Sequence, residues 1–197
     1  MEDTASTSTP PDDDAFDRAL VTAAFDLIAL HGWSRLSLVA AARDAGLPLD
    51  RVRRRFPCRQ AVLIRFGAIA DQMALAGLVA DSTPRDQLLG LLMGRIDALQ
   101  AHRAGVLALL RDLPRDPATA LLLATATLGS MRWMLDAAGI DTGGLLGALR
   151  VKGLLAVWLA TVHEWRRDES EDLSATMATL DRALNRAEQA ENSIAKR

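Results

Sequence analysis

Apolar side chains in this chain recur three or four positions apart through most of its length, and Gly, Pro and Asp-Pro steps punctuate the pattern. Leu88, Leu92, Ile96 and Leu99 step this way, and so do Leu173, Met177, Leu180, Leu184 and Ala187. That period is helical, so each segment has one face to bury against another helix. Residue choice agrees: Ala and Leu fill 68 of the 197 positions, Val and Ile only 15, and Tyr is absent. Such a set favours helix over sheet. The expected fold is all-α with about nine helices, a three-helix head carrying a helix-turn-helix followed by a larger helical bundle.

The breakers place the elements. A first helix is expected from Ala15, capped by Asp14, to His31 before Gly32. Ser37 caps a short second helix to Ala45. After the turn Gly46-Leu47-Pro48 a third helix runs from Leu49 to Arg55, and Phe56-Pro57 stops it. A fourth spans Cys58 to Ala80 with a buried stripe of Val62, Phe66, Ile69 and Met73. Further starts fall at Pro84, near Ala104, at Pro117, after Asp141 or Thr142, and at Ser170. Gly143, Gly147 and Gly153 give the eighth helix a small-residue face for close packing. Residues 1–14 read as a disordered acidic tail, 15–63 as the head, 64–190 as a body for ligand binding and dimerisation, and 191–197 as a flexible tail.

Several chemistries find no support. The single cysteine, Cys58, excludes an intrachain disulfide and any paired-cysteine metal site. It stands at a helix start beside Arg59, a setting that can lower a thiol pKa and permit a redox switch, although a small substitute for a Ser cap is the favoured reading. His31, His102 and His163 lie far apart, so no metal site is expected. There is no Gly-x-Ser-x-Gly elbow or glycine-rich phosphate loop, no catalytic constellation, and no cofactor is expected. The acidic run Asp168 to Asp172 is expected to cap the last helix and lie in solvent. The longest uncharged run, Pro117 to Met131, has 15 residues, too few and too polar to cross a bilayer. No secretory signal is visible at the N-terminus. The expectation is a soluble cytoplasmic protein with no membrane partner.

Charge is distributed in zones beneath a formal net charge of −2. Residues 1–14 carry five acids and no cation, whereas residues 15–70 carry nine Arg against four Asp. Within the second zone, Arg51, Arg53, Arg54 and Arg55 crowd one short helix whose Val52 and Phe56 point inward. Four guanidinium groups so close repel one another, which a purely structural helix would avoid. A polyphosphate backbone would neutralise them, and Arg also reads guanine edges.

The segment from Ala15 to Leu63 resembles the DNA-binding domain of TetR-type transcriptional regulators. Gly32, Ser37, Ala45-Gly46, Phe56, Arg59 and Leu63 stand in the register of that family's pattern. The resemblance implies that Ser37 caps the second helix and meets a phosphate. It implies that Leu49 and Arg51 face base edges, that Arg53, Arg54 and Arg55 contact or flank the groove, and that Arg59 binds phosphate. Pro48 and Arg53 depart from the family, which has a Ser or Thr cap and a Tyr at these places. The implied protein is a dimeric, ligand-responsive regulator that binds double-stranded DNA at a palindrome, with repression the expected sense.

The stretch from Lys152 through Trp158, Trp165 and Asp168 to Leu184 also resembles the lipid-binding accessory protein of ubiquinone biosynthesis, a relative of the same fold. That resemblance implies an apolar, lipid-like ligand and, as an alternative, an accessory protein that has lost DNA binding. Met93, Met131, Trp133, Met134, Trp158 and Trp165 are the candidate lining of such a pocket, weighed against ordinary core.

Overall fold

The computed structural model describes residues 12–79 and 82–195, among which there are nine α-helices and no strand. They are α1 (Asp13–His31), α2 (Leu38–Asp44), α3 (Leu49–Arg55), α4 (Arg59–Ala76), α5 (Pro84–Ala101), α6 (Arg103–Asp112), α7 (Pro117–Ala137), α8 (Gly144–Trp165) and α9 (Ser174–Ala195). Helices α1 to α3 pack together, α4 leads from them into the body, and α8 pairs with α9. The body rests on the head chiefly through α6 against α1. One contact there admits no side chain: a Cβ on Gly105 of α6 would come within 2.4 Å of the Phe25 carbonyl oxygen of α1.

Helix starts follow their caps. Helix α1 begins two residues earlier than expected, because the Asp12 carboxylate accepts from the Asp14 amide. Asp13 and Asp14 are therefore helical rather than tail, and the rest of the expected tail, residues 1–11, lies outside the described residues. Ser37 and Thr83 cap α2 and α5 with their side chains, as Asp116 caps α7. Helix α4 ends at Ala76, short of the expected Ala80, which with Asp81 lies outside the described residues. Neither Asp141 nor Thr142 caps α8; Gly143 does, while the Thr142 hydroxyl donates to Asp136 at 2.7 Å. Gly147 serves that turn rather than helix packing, since a Cβ there would lie 2.0 Å from the Thr142 carbonyl carbon, and Gly153 has open space beside it. Helix α9 starts at Ser174 instead of Ser170 and continues to Ala195, so the expected tail from 191 is helical over its described part.

The core is continuous from head to body. Phe16, Leu20, Ala24 and Ile28 of α1 are sealed, as are Val62, Leu88, Leu92, Ile96 and Leu180. Three expected core positions turn outward: Met73 and Met177 are nearly half exposed, and Ala187 is exposed. One ion pair crosses the body interior. Arg95 of α5 is 7% exposed and bonds Asp71 of α4. Its guanidinium lies 4.9 Å over the Trp158 ring of α8, and the Asp71 carboxylate accepts from Ser130 of α7 at 2.5 Å. Burial pushes Arg95 below the usual guanidinium range, and its Nε has no partner among the described residues.

Helix α8 is 22 residues long and, by length and composition, apolar enough to cross a bilayer despite Arg150 and Lys152. The expectation drawn from uncharged runs missed it. Its inner face, including Val151, Leu154, Trp158 and Trp165, is buried against the body. Its outer face leaves Leu145, Leu149 and Leu159 more than half exposed.

Candidate nucleic-acid interface

Ala41 and Ala42 of α2 are fully buried, small enough to bring that helix close to the core. The chain then reverses through Gly46 at φ +64°, a left-handed turn that suits glycine, and the Leu47 amide closes it on the Ala42 carbonyl at 2.8 Å. Val52 and Phe56 anchor α3, at 4% and 2% exposure. The result is a helix-turn-helix with a short second helix at the surface.

At about 100° per residue, Arg51 and Arg55 fall on one flank of α3, Arg53 falls on the other, and only Arg54 falls opposite the anchored side. The structure divides the cluster along that line. Arg51 turns back onto α1, 2.5 Å from Asp13, with its guanidinium 4.1 Å over the Phe16 ring. Arg55 holds Asp17 of α1 with two bonds of 2.7 Å and reaches Asp13 at 2.8 Å. Arg65 of α4 donates to Asp14 at 2.6 Å and lies 2.6 Å from Asp17 as an ion pair, without a hydrogen bond from its Nε. The Arg51 and Arg55 guanidinium groups hold Asp13 below the usual carboxylate range, and Asp17, chiefly, raises Arg55 further above its own. The expected self-repulsion is thus largely cancelled within the chain. Three carboxylates on one end of α1 meet three arginines of α3 and α4.

What stays outward is narrower than the sequence implied. Leu49 is 45% exposed, and Arg53 and Arg54 are exposed. Arg53 donates to the Pro57 carbonyl at 2.7 Å, and Arg54 pairs with Asp50 one turn back at 3.1 Å. Both partners of that pair are nearly three-quarters exposed, so it is worth little in water and yields readily to a phosphate. Ser37 is exposed at the start of α2, its hydroxyl accepting the Ala40 amide at 3.3 Å. Pro48 precedes α3 with no side-chain cap.

Arg59 is half-buried and forms a strut between Trp33 and α7. It stacks 4.7 Å over Trp33, donates to the Ser34 carbonyl at 3.0 Å and lies 3.5 Å from Asp116 at the start of α7. The Trp33 indole, then the Thr119 amide and hydroxyl, hold Asp116 below the usual carboxylate range. Cys58 begins α4 exposed, and its thiol makes no cap bond. The residues that sequence reasoning overlooked are Asp13, Asp14 and Asp17. Of these, Asp13 counts with the tail in the sequence, Asp14 as a cap and Asp17 as one acid of the head; the signal is their common place in the acidic start of an amphipathic helix.

No family model and no curated protein matches the chain. Solved structures do. A TetR transcriptional regulator from Nitrosomonas europaea ATCC 19718 superposes with a TM-score of 0.71 at 22% identity, over 88% of this chain and 98% of that one. The chain has the TetR fold. A TetR transcriptional regulator from Rhodococcus sp. RHA1 gives a TM-score of 0.59 at 16% identity, over 89% and 97% of the two chains. A TetR-like regulator from the same organism gives 0.55. At such identities the likeness concerns the TetR fold alone, and the function rests on the side chains.

In the body of this TetR-fold chain, an apolar cleft of about 530 Å³ opens between α5, α7, α8 and α9. Leu88, Leu135, Ile140, Leu149, Leu154 and Val157 line it, and Arg150 bridges its rim to Glu191 at 2.6 Å. None of the six expected pocket residues takes part. Met131, Met134, Trp158 and Trp165 are sealed core, Met93 packs against that core, and Trp133 is 68% exposed. Buried Trp165 spends its indole N–H on Gln100 at 2.8 Å. Tryptophan and methionine here fill volume between helices, and leucines line the open space.

Proposed function

We propose that the protein is a dimeric, ligand-responsive DNA-binding transcriptional regulator, acting as a repressor in the cytoplasm. One observation carries this reading: a helix-turn-helix in the TetR fold leaves Leu49, Arg53 and Arg54 outward on its second helix. Base edges and phosphates are met by these three, with Ser37 beside them. Arg51 and Arg55 tie α3 to α1 from behind, and Arg59 ties the start of α4 to Trp33 and Asp116. Residues 13–63 form the reading head and 64–190 the body. Two copies joined through the exposed leucines of α8, with α9 alongside, present two heads to a palindrome. An apolar effector in the cleft would bias the spacing of the heads.

Selection of bound duplexes from a random pool tests this. Arg53→Ala and Arg54→Ala are each expected to weaken binding and to reduce the salt slope by about one. Arg51→Ala is expected to leave that slope unchanged. Unaltered affinity in the Arg53→Ala/Arg54→Ala double variant would overturn the assignment.

A second reading, a lipid- or quinone-binding accessory protein without DNA binding, draws on the apolar cleft. An apolar compound identified by mass spectrometry in the purified protein, together with no duplex shift in dilute buffer, would favour it.

A further inference from the structure

A second cleft, of about 550 Å³, lies where α1, α6 and α8 meet, and its character differs. Ala29 of α1 and Ala104, Leu107 and Ala108 of α6 supply its apolar wall. Its polar wall is formed by Arg111 from α6, His163 from the last turn of α8, and Arg166 and Arg167 from the turn that follows α8. Among the described residues, the side chains of Arg166 and Arg167 make no salt bridge and no hydrogen bond. Arg111 has a distant partner, the Asp112 carboxylate at 3.8 Å. The other oxygen of Asp112 is occupied by the Trp33 amide at 2.9 Å.

Arginine at the end of a helix is commonplace, since the terminal carbonyls attract it. That explains Arg166 and Arg167 taken alone. It also covers Arg111, which stands in the last turn of α6, but not why guanidinium groups from two separate helix ends line the same concavity. Three exposed guanidinium groups around one hollow repel only weakly through water, and an anion seated among them would gain from all three. The volume falls within the range of small-molecule sites, and half the wall is apolar.

We propose that this cleft binds a small organic anion, a carboxylate or phosphate carried on a short apolar body. Arg166 and Arg167 hold the anionic group, Arg111 closes over it, and Leu107 and Ala108 take the apolar part. The cleft adjoins the contact of Gly105 with Phe25, where α6 presses on α1, so an occupant acts where body meets head. The proposal does not depend on DNA binding.

The test is calorimetric titration of the full chain with octanoate, octyl phosphate and octanol. Saturable binding of one anion per chain is expected, with octanol at least about tenfold weaker. Which of the two anions binds tighter identifies the headgroup. Arg166→Gln/Arg167→Gln should weaken the anion at least about tenfold at an unchanged thermal midpoint, because both residues are exposed. Leu107→Trp, which fills the cleft, should abolish binding. Octanol binding as tightly as the anions, or anion binding unaffected by the double substitution, overturns the proposal. So does the absence of anion binding, including the case where the double variant instead loses affinity for a duplex, which would make the patch a nucleic-acid contact.

Discussion

Replacing Asp71 by Ala is expected to remove roughly 3–5 kcal/mol of folding stability, a large part of what a domain of this size possesses. Asp71 is the carboxylate that faces Arg95, and Arg95 is 7% exposed. Without it, a guanidinium whose Nε is already unpartnered keeps, among the described residues, the Trp158 ring in an apolar interior. Ser130 loses its acceptor as well. Stability should be read from the denaturant midpoint at constant slope. A double variant, Asp71→Ala/Arg95→Met, should recover much of the loss, because a well-packed apolar pair often replaces a buried ion pair at little cost. A single substitution costing under about 1 kcal/mol would show that water reaches Arg95 in the folded protein.

Asp168→Ala is expected to cost roughly 3 kcal/mol, from one side chain in the turn between α8 and α9. The Asp168 carboxylate accepts the Ser170 hydroxyl at 2.5 Å and amide at 3.1 Å, and the Thr176 hydroxyl at 2.7 Å and amide at 2.8 Å. These bonds hold a turn in which buried Leu173 adopts φ +51°. They also hold the carboxyl, Ser170 foremost and then Thr176, far below the usual carboxylate range. The ionised form is therefore the stabilising one. Its contribution is complete above the ordinary carboxylate pKa of about 4 and is lost as pH falls below it. Wild-type and Asp168→Ala denaturation midpoints, measured from pH 7 to pH 3, should converge toward acid. A gap that stayed constant over that range would rule out the carboxylate as its source.

Asp168 also shows where reading along the chain stops short. As one acid in a run of four it looked like a solvated cap, and Glu169, Glu171 and Asp172 are indeed exposed. Asp168 is buried because Thr176, eight residues on, returns to it. The arginines of α3 carry the same lesson. Val52 and Phe56 mark the inner side of α3 from sequence, and the helical period puts Arg54 opposite, with Arg53 and Arg55 on the two flanks. Nothing local says that Arg55 finds Asp17, 38 positions earlier.

Helix placement was written in the residues. Caps such as Ser37 and Thr83, stops such as Gly32 and Pro57, and the three-four spacing of leucines act within a turn or two, so a linear reading captures them. Which charges cancel and which remain for a partner was settled by packing. The end of α1 meets α3 and α4, and the end of α8 meets α6, only once the core brings distant segments together. Electrostatic attraction depends on distance in space, which the order of residues along a chain does not specify.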